Sequence, residues 1–410
     1  MLTRRLFLHS GAMALVSVGL NPSFLSRVAQ AATGRKKLLI AVFQRGAADG
    51  LNLIVPHGDA EYYRVRPRIA VPRPGSGDQA TLDLDGFFGL HPRLAPLEPF
   101  WDNRSLGIVH ACGSPDATRS HFDAQDYMES ATPGVKATRD GWLNRYLAAS
   151  GDANNPLRGV ALARQMPRSL QGPAPALAIP SVDDFAVRGN AGAGDAFESA
   201  YRRAADGVLA QTSREAFDAM RTLRRATATA GTTTPRTPYP RSPLGQALQE
   251  IAALAKADVG LEVAFAESTN WDHHVNEGTT NGQFAARADD LAQSLAALAE
   301  DLGDRLADTV IVTMSEFGRR VAENGTGGTD HGHGNVMLLL GGPVRGGRVA
   351  GRWPGLGREA LFEGQDLAIT TDFRDVFAEL VTQHLGAPPA ALSRIFPGFR
   401  PAGSPPGLIV

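Results

Sequence analysis

Residues 309–347 read TVIVTMSEFGRRVAENGTGGTDHGHGNVMLLLGGPVRGG, and the architecture turns on this stretch. Val310, Ile311 and Val312 are β-branched, with no polar side chain until Thr313, as in a strand buried on both faces. Ser315, Glu316 and Phe317 stand at its end. A glycine-rich loop then delivers Asp330, His331 and His333 ahead of a second apolar run, 336–340. Carboxylates and imidazoles at strand ends mix hard oxygen with borderline nitrogen donors, a set that suits a divalent metal: zinc, manganese, calcium or magnesium. The glycines let the backbone bend sharply and approach a ligand closely. The same residues also admit a plainer role, as polar anchors that hold a long loop by hydrogen bonds.

Outward from that stretch, a chain of 410 residues with 43% hydrophobic content is globular and long enough for one large α/β domain or two ordinary ones. The formal charge of -1 gives no electrostatic case for nucleic acid. Cys112 is the single cysteine, so an intramolecular disulfide is excluded and a thiolate metal site is disfavoured.

The amino terminus has a different character. Arg4-Arg5 precedes a modestly apolar run, 11–20, and Ala29-Gln30-Ala31 offers a small-residue cleavage site. Residues 1–31 resemble a twin-arginine export signal, which implies the twin-arginine export machinery as a partner and a periplasmic or extracellular protein. An amphipathic first helix is the alternative. The run is too short and glycine-broken for a membrane span, so the mature form is expected to have none. Removal of 1–31 takes away three arginines and no acid, which leaves -4.

Residues 32–410 read as a single α/β domain. Buried strands are expected at 38–43, 106–111, 261–266, 310–314 and 336–340, with brief apolar runs at 159–163 and 176–179. Helices are expected at 92–101, 120–130, 140–150, 243–257 and 282–303, and from Thr371 or Asp372 onward. Phe284, Ala288, Leu291, Leu295, Leu298 and Leu302 recur at steps of three and four, the mark of an amphipathic helix. Residues 52–92 look like an irregular insertion with some substrate-facing surface. A helical and irregular insertion spans about 180–243, with a charged helical pattern at 195–226 and a Thr- and Pro-rich linker at 227–243. Strand–helix alternation of this kind predicts a mainly parallel sheet with helices on both faces.

Such a sheet gathers the loops after its strands at one edge. Asp49 follows the first strand, in an Asp-Gly pair that is also an ordinary turn. Ser120 with Asp123 forms a near capping box that opens a helix. A helix amino terminus favours anions, and a serine there is either a nucleophile toward phosphorus or sulfur or simply a cap. His121 beside it is a further ligand candidate. Asp272 and His274 end the 261–266 segment, either as ligands or as a surface cluster. With Glu316, Asp330, His331 and His333 they suffice for one metal, with room for a second.

These residues also carry a resemblance. SEFGR (315–319) followed by NGTGGTDHGHGNVMLLLGGPVRGG (324–347) is similar to the signature of an exported bacterial family, domain of unknown function 1501. FQRGAADGLN (43–52), RSHFDAQDYME (119–129) and WDHH (271–274) are similar to its other landmarks, so the likeness covers most of the mature chain. That family in turn resembles, more distantly, the alkaline phosphatase and sulfatase superfamily. The resemblance implies an alkaline phosphatase-like α/β fold with insertions and an exported metal-dependent hydrolase of phosphate or sulfate esters. It implies Asp49, Asp272 and His274 on the metal, Ser120 as nucleophile, and His331 or His333 as the late ligand ahead of Gly342-Pro343. Phe317 departs from the superfamily, which has a ligand histidine there, and Glu316 replaces its Asp. One metal position is then lost, or filled from Asp330 and the second loop histidine. The departure leaves open a non-catalytic binding or surface-assembly protein on the same fold.

Overall fold

A computed structural model describes residues 36–151, 155–181, 237–401 and 406–410. The expected export signal at 1–31 and the helical stretch at 195–226 lie outside these residues, as does most of the insertion.

Twelve strands are described: β1 (Leu38–Gln44), β2 (Ile54–Val55), β3 (Leu82–Asp83), β4 (Gly89–Leu90), β5 (Leu106–Gly113), β6 (Gly159–Leu162), β7 (Leu177–Ile179), β8 (Val263–Ser268), β9 (Thr309–Met314), β10 (Asn335–Gly341), β11 (Arg348–Ala350) and β12 (Thr371–Asp372). Nine build the main sheet in the order β11-β5-β10-β9-β1-β8-β6-β7, with β12 also paired to β5. The small sheet β2-β4-β3 lies in the 52–92 segment.

Each expected strand forms within two residues of its predicted bounds. Successive side chains of a strand face opposite ways. In β1, Leu38, Ile40 and Val42 join one core cluster, and Leu39, Ala41 and Phe43 join another. Ile311 against Val310 and Val312 divides β9 in the same manner. Both faces are therefore buried, which is why these strands read as continuous apolar runs rather than alternating ones. Helices α1 (Pro243–Lys256) and α2 (Gln283–Leu302) cover the first face through Leu248, Ile251, Leu291, Leu295 and Leu298. Helices α3 (Trp142–Ala149) and α4 (Phe373–Glu379) cover the second, where Trp142 stacks on Phe377 with ring centroids 4.2 Å apart.

One strand runs against the rest. β10 is antiparallel to both β9 and β5, whereas β1, β8, β9, β6, β7, β11 and β12 pair in parallel. Its amino end, Asn335, consequently lies opposite Cys112, at the rim where β5, β1, β8 and β9 end. The 315–334 loop thus leaves and re-enters the sheet at one edge.

The 52–92 segment is less irregular than its composition suggests. Tyr62 and Arg66 in it are fully buried. The Tyr62 hydroxyl donates to Asn52 Oδ1 at 2.7 Å and accepts from the Val71 N–H at 2.9 Å.

Candidate metal centre

Four loops meet at this rim, and two glycines let them close on one another. Gly46, after β1, has a φ of +111°, and a Cβ there would lie 2.7 Å from the Asp272 backbone nitrogen. Gly318, after β9, would place a Cβ 1.8 Å from the Gly334 carbonyl oxygen. The two limbs of the long loop are further tied by Gly318 N–H to His333 O at 2.9 Å and Gly332 N–H to Gly318 O at 2.8 Å.

Arg319, nearly inaccessible, rivets the loops together. Its guanidinium donates to the carbonyls of Ala47 at 2.7 Å, Gly46 at 2.5 Å and Thr329 at 3.0 Å, and to Asp272 Oδ1 at 2.5 Å. Burial alone pushes the Asp272 carboxyl up. The bond and charge of Arg319, helped by His274 and His121, outweigh it and hold the group below the usual carboxylate range.

Around Asp272 stand three imidazoles. His121 opens helix α5 (His121–Ser130), directly after the β5 loop. Its Nδ1 lies 2.8 Å from Glu316 Oε1, and its Nε2 lies 3.5 Å from Asp272 Oδ2. His274 Nε2 is 3.0 Å from Asp272 Oδ1 and 2.9 Å from His331 Nε2. His331 Nε2 is 3.4 Å from Asp272 Oδ1, while its Nδ1 donates to the Arg119 carbonyl at 2.9 Å. Phe317 packs beside these rings, 5.0 Å from His121 and 4.9 Å from His331 between centroids. The Phe317 ring is thus a wall beside the imidazoles.

Glu316 acts one step removed from the cluster. Fully buried, its Oε1 accepts from the Gly46 N–H at 2.8 Å, Gln125 Nε2 at 3.0 Å and His121. Desolvation pushes its carboxyl up, but these donors outweigh that and hold it below its ordinary value. The same contact raises the His121 imidazole above its own, against burial. A carboxylate on Nδ1 fixes the tautomer and leaves the Nε2 lone pair free, the usual support for a metal-bound histidine.

The donors fit a metal. Among the described residues, His121 Nε2 is a buried nitrogen without a hydrogen-bond partner. One ligand atom each from His121, Asp272 and His331 lies within 4.8 Å of the others, a set that could hold an ion. With bonds of ~2.0–2.1 Å, tetrahedral donors stand roughly 3.4 Å apart. The separations of 3.4 Å from His331 Nε2 to Asp272 Oδ1 and 3.5 Å from His121 Nε2 to Asp272 Oδ2 are of that order, though they run to different carboxylate oxygens. His274 Nε2 lies close to two of the three, 3.0 Å from Asp272 Oδ1 and 2.9 Å from His331 Nε2.

The other sequence candidates fall elsewhere. Asp330 sits behind His274, with Oδ1 3.4 Å from its Nδ1 and accepting from Asn324 Nδ2 at 3.2 Å. The Asn324 bond is the main reason its carboxyl is held below the ordinary value. His333 is buried against Phe362, with centroids 4.2 Å apart, and desolvation lowers its ring to about 4. Asp49 is taken up by Arg66 Nη1 at 2.5 Å and the Leu51 N–H at 3.2 Å. Beside that pair, burial and the Asp49 charge push the Glu277 carboxyl well above its usual value. Ser120 is exposed and caps α5, its Oγ accepting from the Asp123 N–H at 3.5 Å. The structure therefore gathers Asp272, His274 and His331, backs them with Glu316 and Asp330, and adds His121. It leaves Asp49 and His333 in other contacts. Arg319 had no signal in the sequence beyond its place in SEFGR, because its role is set by carbonyls that only the fold brings near.

Residues 104–389 match the model of a family described as "Protein of unknown function (DUF1501)". None of the curated proteins matches the chain. Among solved structures it is similar to a crystal structure of the PsFucS1 sulfatase from Pseudoalteromonas sp., at a TM-score of 0.40 and 13% identity, over 94% of this chain and 75% of that one.

Proposed function

The chain belongs to the DUF1501 family, whose description states no activity, and on that footing we propose that it is an exported, metal-dependent hydrolase of phosphate or sulfate esters. The observation that carries the metal is His121 Nε2: buried, unpartnered, fixed by Glu316 through its other nitrogen and aimed at Asp272 and His331. His121, Asp272 and His331 would hold the ion, and His274 would offer a fourth donor. Two or three imidazoles with one carboxylate favour zinc or manganese over calcium or magnesium. When bound, the ion supplies a Lewis acid that withdraws charge from an ester oxygen and acidifies a nearby hydroxyl.

The chain's own groups do the rest. Ser120 presents its hydroxyl at the amino end of the ten-residue helix α5, where free N–H groups and the helix dipole favour an oxyanion. The Ser120 Oγ attacks phosphorus or sulfur, its proton passes to solvent, and the leaving oxygen takes a proton from water. Water then cleaves the serine ester. Export rests on the paired arginines at 4 and 5, and among the described residues no helix is long and apolar enough to cross a membrane. The twin-arginine machinery is the partner this requires.

The test measures bound metal and aryl phosphate and aryl sulfate turnover in the wild type, His121→Ala and Ser120→Ala. One ion per chain, lost in His121→Ala, is expected, with turnover lost in both variants. Undiminished turnover in Ser120→Ala would remove that residue from the mechanism.

A second function, a non-catalytic binding or surface-assembly protein with a structural metal or none, is favoured by one contact. Asp49, which the resemblance places on the metal, is neutralised by Arg66. A metal-free preparation whose melting temperature ignores chelation would decide for it.

A further inference from the structure

The segment after Gly318 is extended, and neighbouring side chains in it face opposite ways. Arg319 faces the histidine cluster. Arg320, the next residue, lines a separate cavity of about 240 Å³ with Arg64, Arg358, Val65, Val321 and Leu356. Three arginines and no carboxylate line it, and leucine and valine supply the apolar wall.

The arginines have charge to spare. Arg320 Nε is buried without a hydrogen-bond partner among the described residues, and the nearest carboxylate oxygen of Asp330 is 3.8 Å from Arg320 Nη1. Arg358 is exposed and makes no described ion pair. Among the described residues, Arg64 pairs only with the neighbouring Glu61, on an exposed surface, where such a pair is worth little. The base of the cavity is rigid as well. The Arg320 N–H donates to the Asp330 carbonyl at 2.9 Å, its carbonyl accepts from Arg66 Nη2 at 2.9 Å, and the Val321 carbonyl accepts from Arg66 Nε at 2.7 Å. At ~30 Å³ per water, the space equals roughly eight waters, the size of a small organic molecule.

We propose that this cavity is a second anion site, separate from the histidine cluster, for a small soluble amphiphile: a phosphate, sulfate or carboxylate head on a short apolar body. The guanidinium groups of Arg320 and Arg358 grip the head in planar, charge-assisted bonds. Val65, Val321 and Leu356 cover the body. The inference does not rest on the hydrolase proposal, since no residue of the cluster lines the cavity.

The test is calorimetric titration of the full purified chain with hexanesulfonate, an anionic amphiphile with no ester bond for the histidine cluster to cleave, and with hexanol as the neutral control. Saturable binding of one hexanesulfonate per chain is expected, weakened about tenfold or more in Arg320→Ala and again in Arg358→Ala, the loss of one charge-assisted partner each. Hexanol should not bind measurably. His121→Ala, which disables the cluster, should leave hexanesulfonate affinity unchanged, and circular dichroism should show all variants folded. Affinity that both arginine variants leave intact overturns the proposal. So does binding lost in His121→Ala, which places the ligand at the cluster, or no heat at millimolar concentration.

Discussion

Glu316→Gln isolates what the buried carboxylate does for the histidine cluster. All three close donors, the Gly46 N–H, Gln125 Nε2 and His121 Nδ1, converge on Oε1 at 2.8, 3.0 and 2.8 Å. A glutamine amide oxygen can occupy that position and accept from all three, so the shape of the site survives. Only the charge goes. A hydrogen bond to a charged group is worth about 1.5–3 kcal/mol and a neutral one about 0.5–1.5. The His121 contact therefore weakens by about 1.5 kcal/mol, or about tenfold in the fixation of Nε2 toward an ion. Loss of such an orienting partner ordinarily costs ~10–100-fold in metal affinity, so the expected effect lies at the low end of that range. Competition between the metal-free protein and a chromophoric chelator for zinc measures it, with the melting temperature as a control on folding. A Glu316→Gln protein of wild-type stability that holds zinc as tightly as the parent would refute the orienting role.

Further outcomes follow from other contacts. Asp49→Ala strands the buried Arg66 guanidinium and should cost about 3–5 kcal/mol of stability by chemical denaturation; bound metal per folded molecule should not change, and metal loss at unchanged stability would put Asp49 on the ion. Burial holds the His91, His110 and His384 rings down at about 4, against ~6.5 in an unfolded chain. Between those values the unfolded chain takes up protons that the folded one refuses, so stability should fall as pH drops from about 6.5 toward 4. Each ring contributes at most about 3 kcal/mol, and the three together rival the ~5–15 kcal/mol that holds a typical fold. Calorimetric unfolding at pH 7 and pH 5 checks this, and a flat melting temperature would show that the rings are not held neutral. Gly318→Ala should abolish metal uptake and lower the melting point, because its Cβ would lie 1.8 Å from the Gly334 oxygen and force the two limbs of the loop apart.

Strand positions were legible because both faces of the sheet are buried, so each strand stands out as an unbroken apolar run. The reversal of β10 was not, since direction leaves no trace in an apolar run such as Val336–Met337–Leu338. At the site, Asp272, His274 and His331 were readable as donor residues at strand ends. Asp49 is the same residue type in the same kind of position, yet a guanidinium seventeen residues away claims it. No local pattern distinguishes the two cases. His121 and Glu316 show the reverse limit: their pairing spans 195 positions, and only the fold reveals which of them faces the cluster.

The strand order also bears on how the chain is made. Among the described residues, β1 pairs only with β8 and β9, and β5 only with β10, β11 and β12. Both strands leave the ribosome long before any partner exists. Between the end of β5 and the start of β10 lie more than two hundred residues, roughly 10–40 s of synthesis at ~5–20 residues per second. Through that interval LLIAVFQ and LGIVHACG emerge as apolar segments with open hydrogen-bonding edges, the kind that stick to other nascent chains. Production of this protein should accordingly depend on chaperone capacity during translation far more than on the stability of the finished fold.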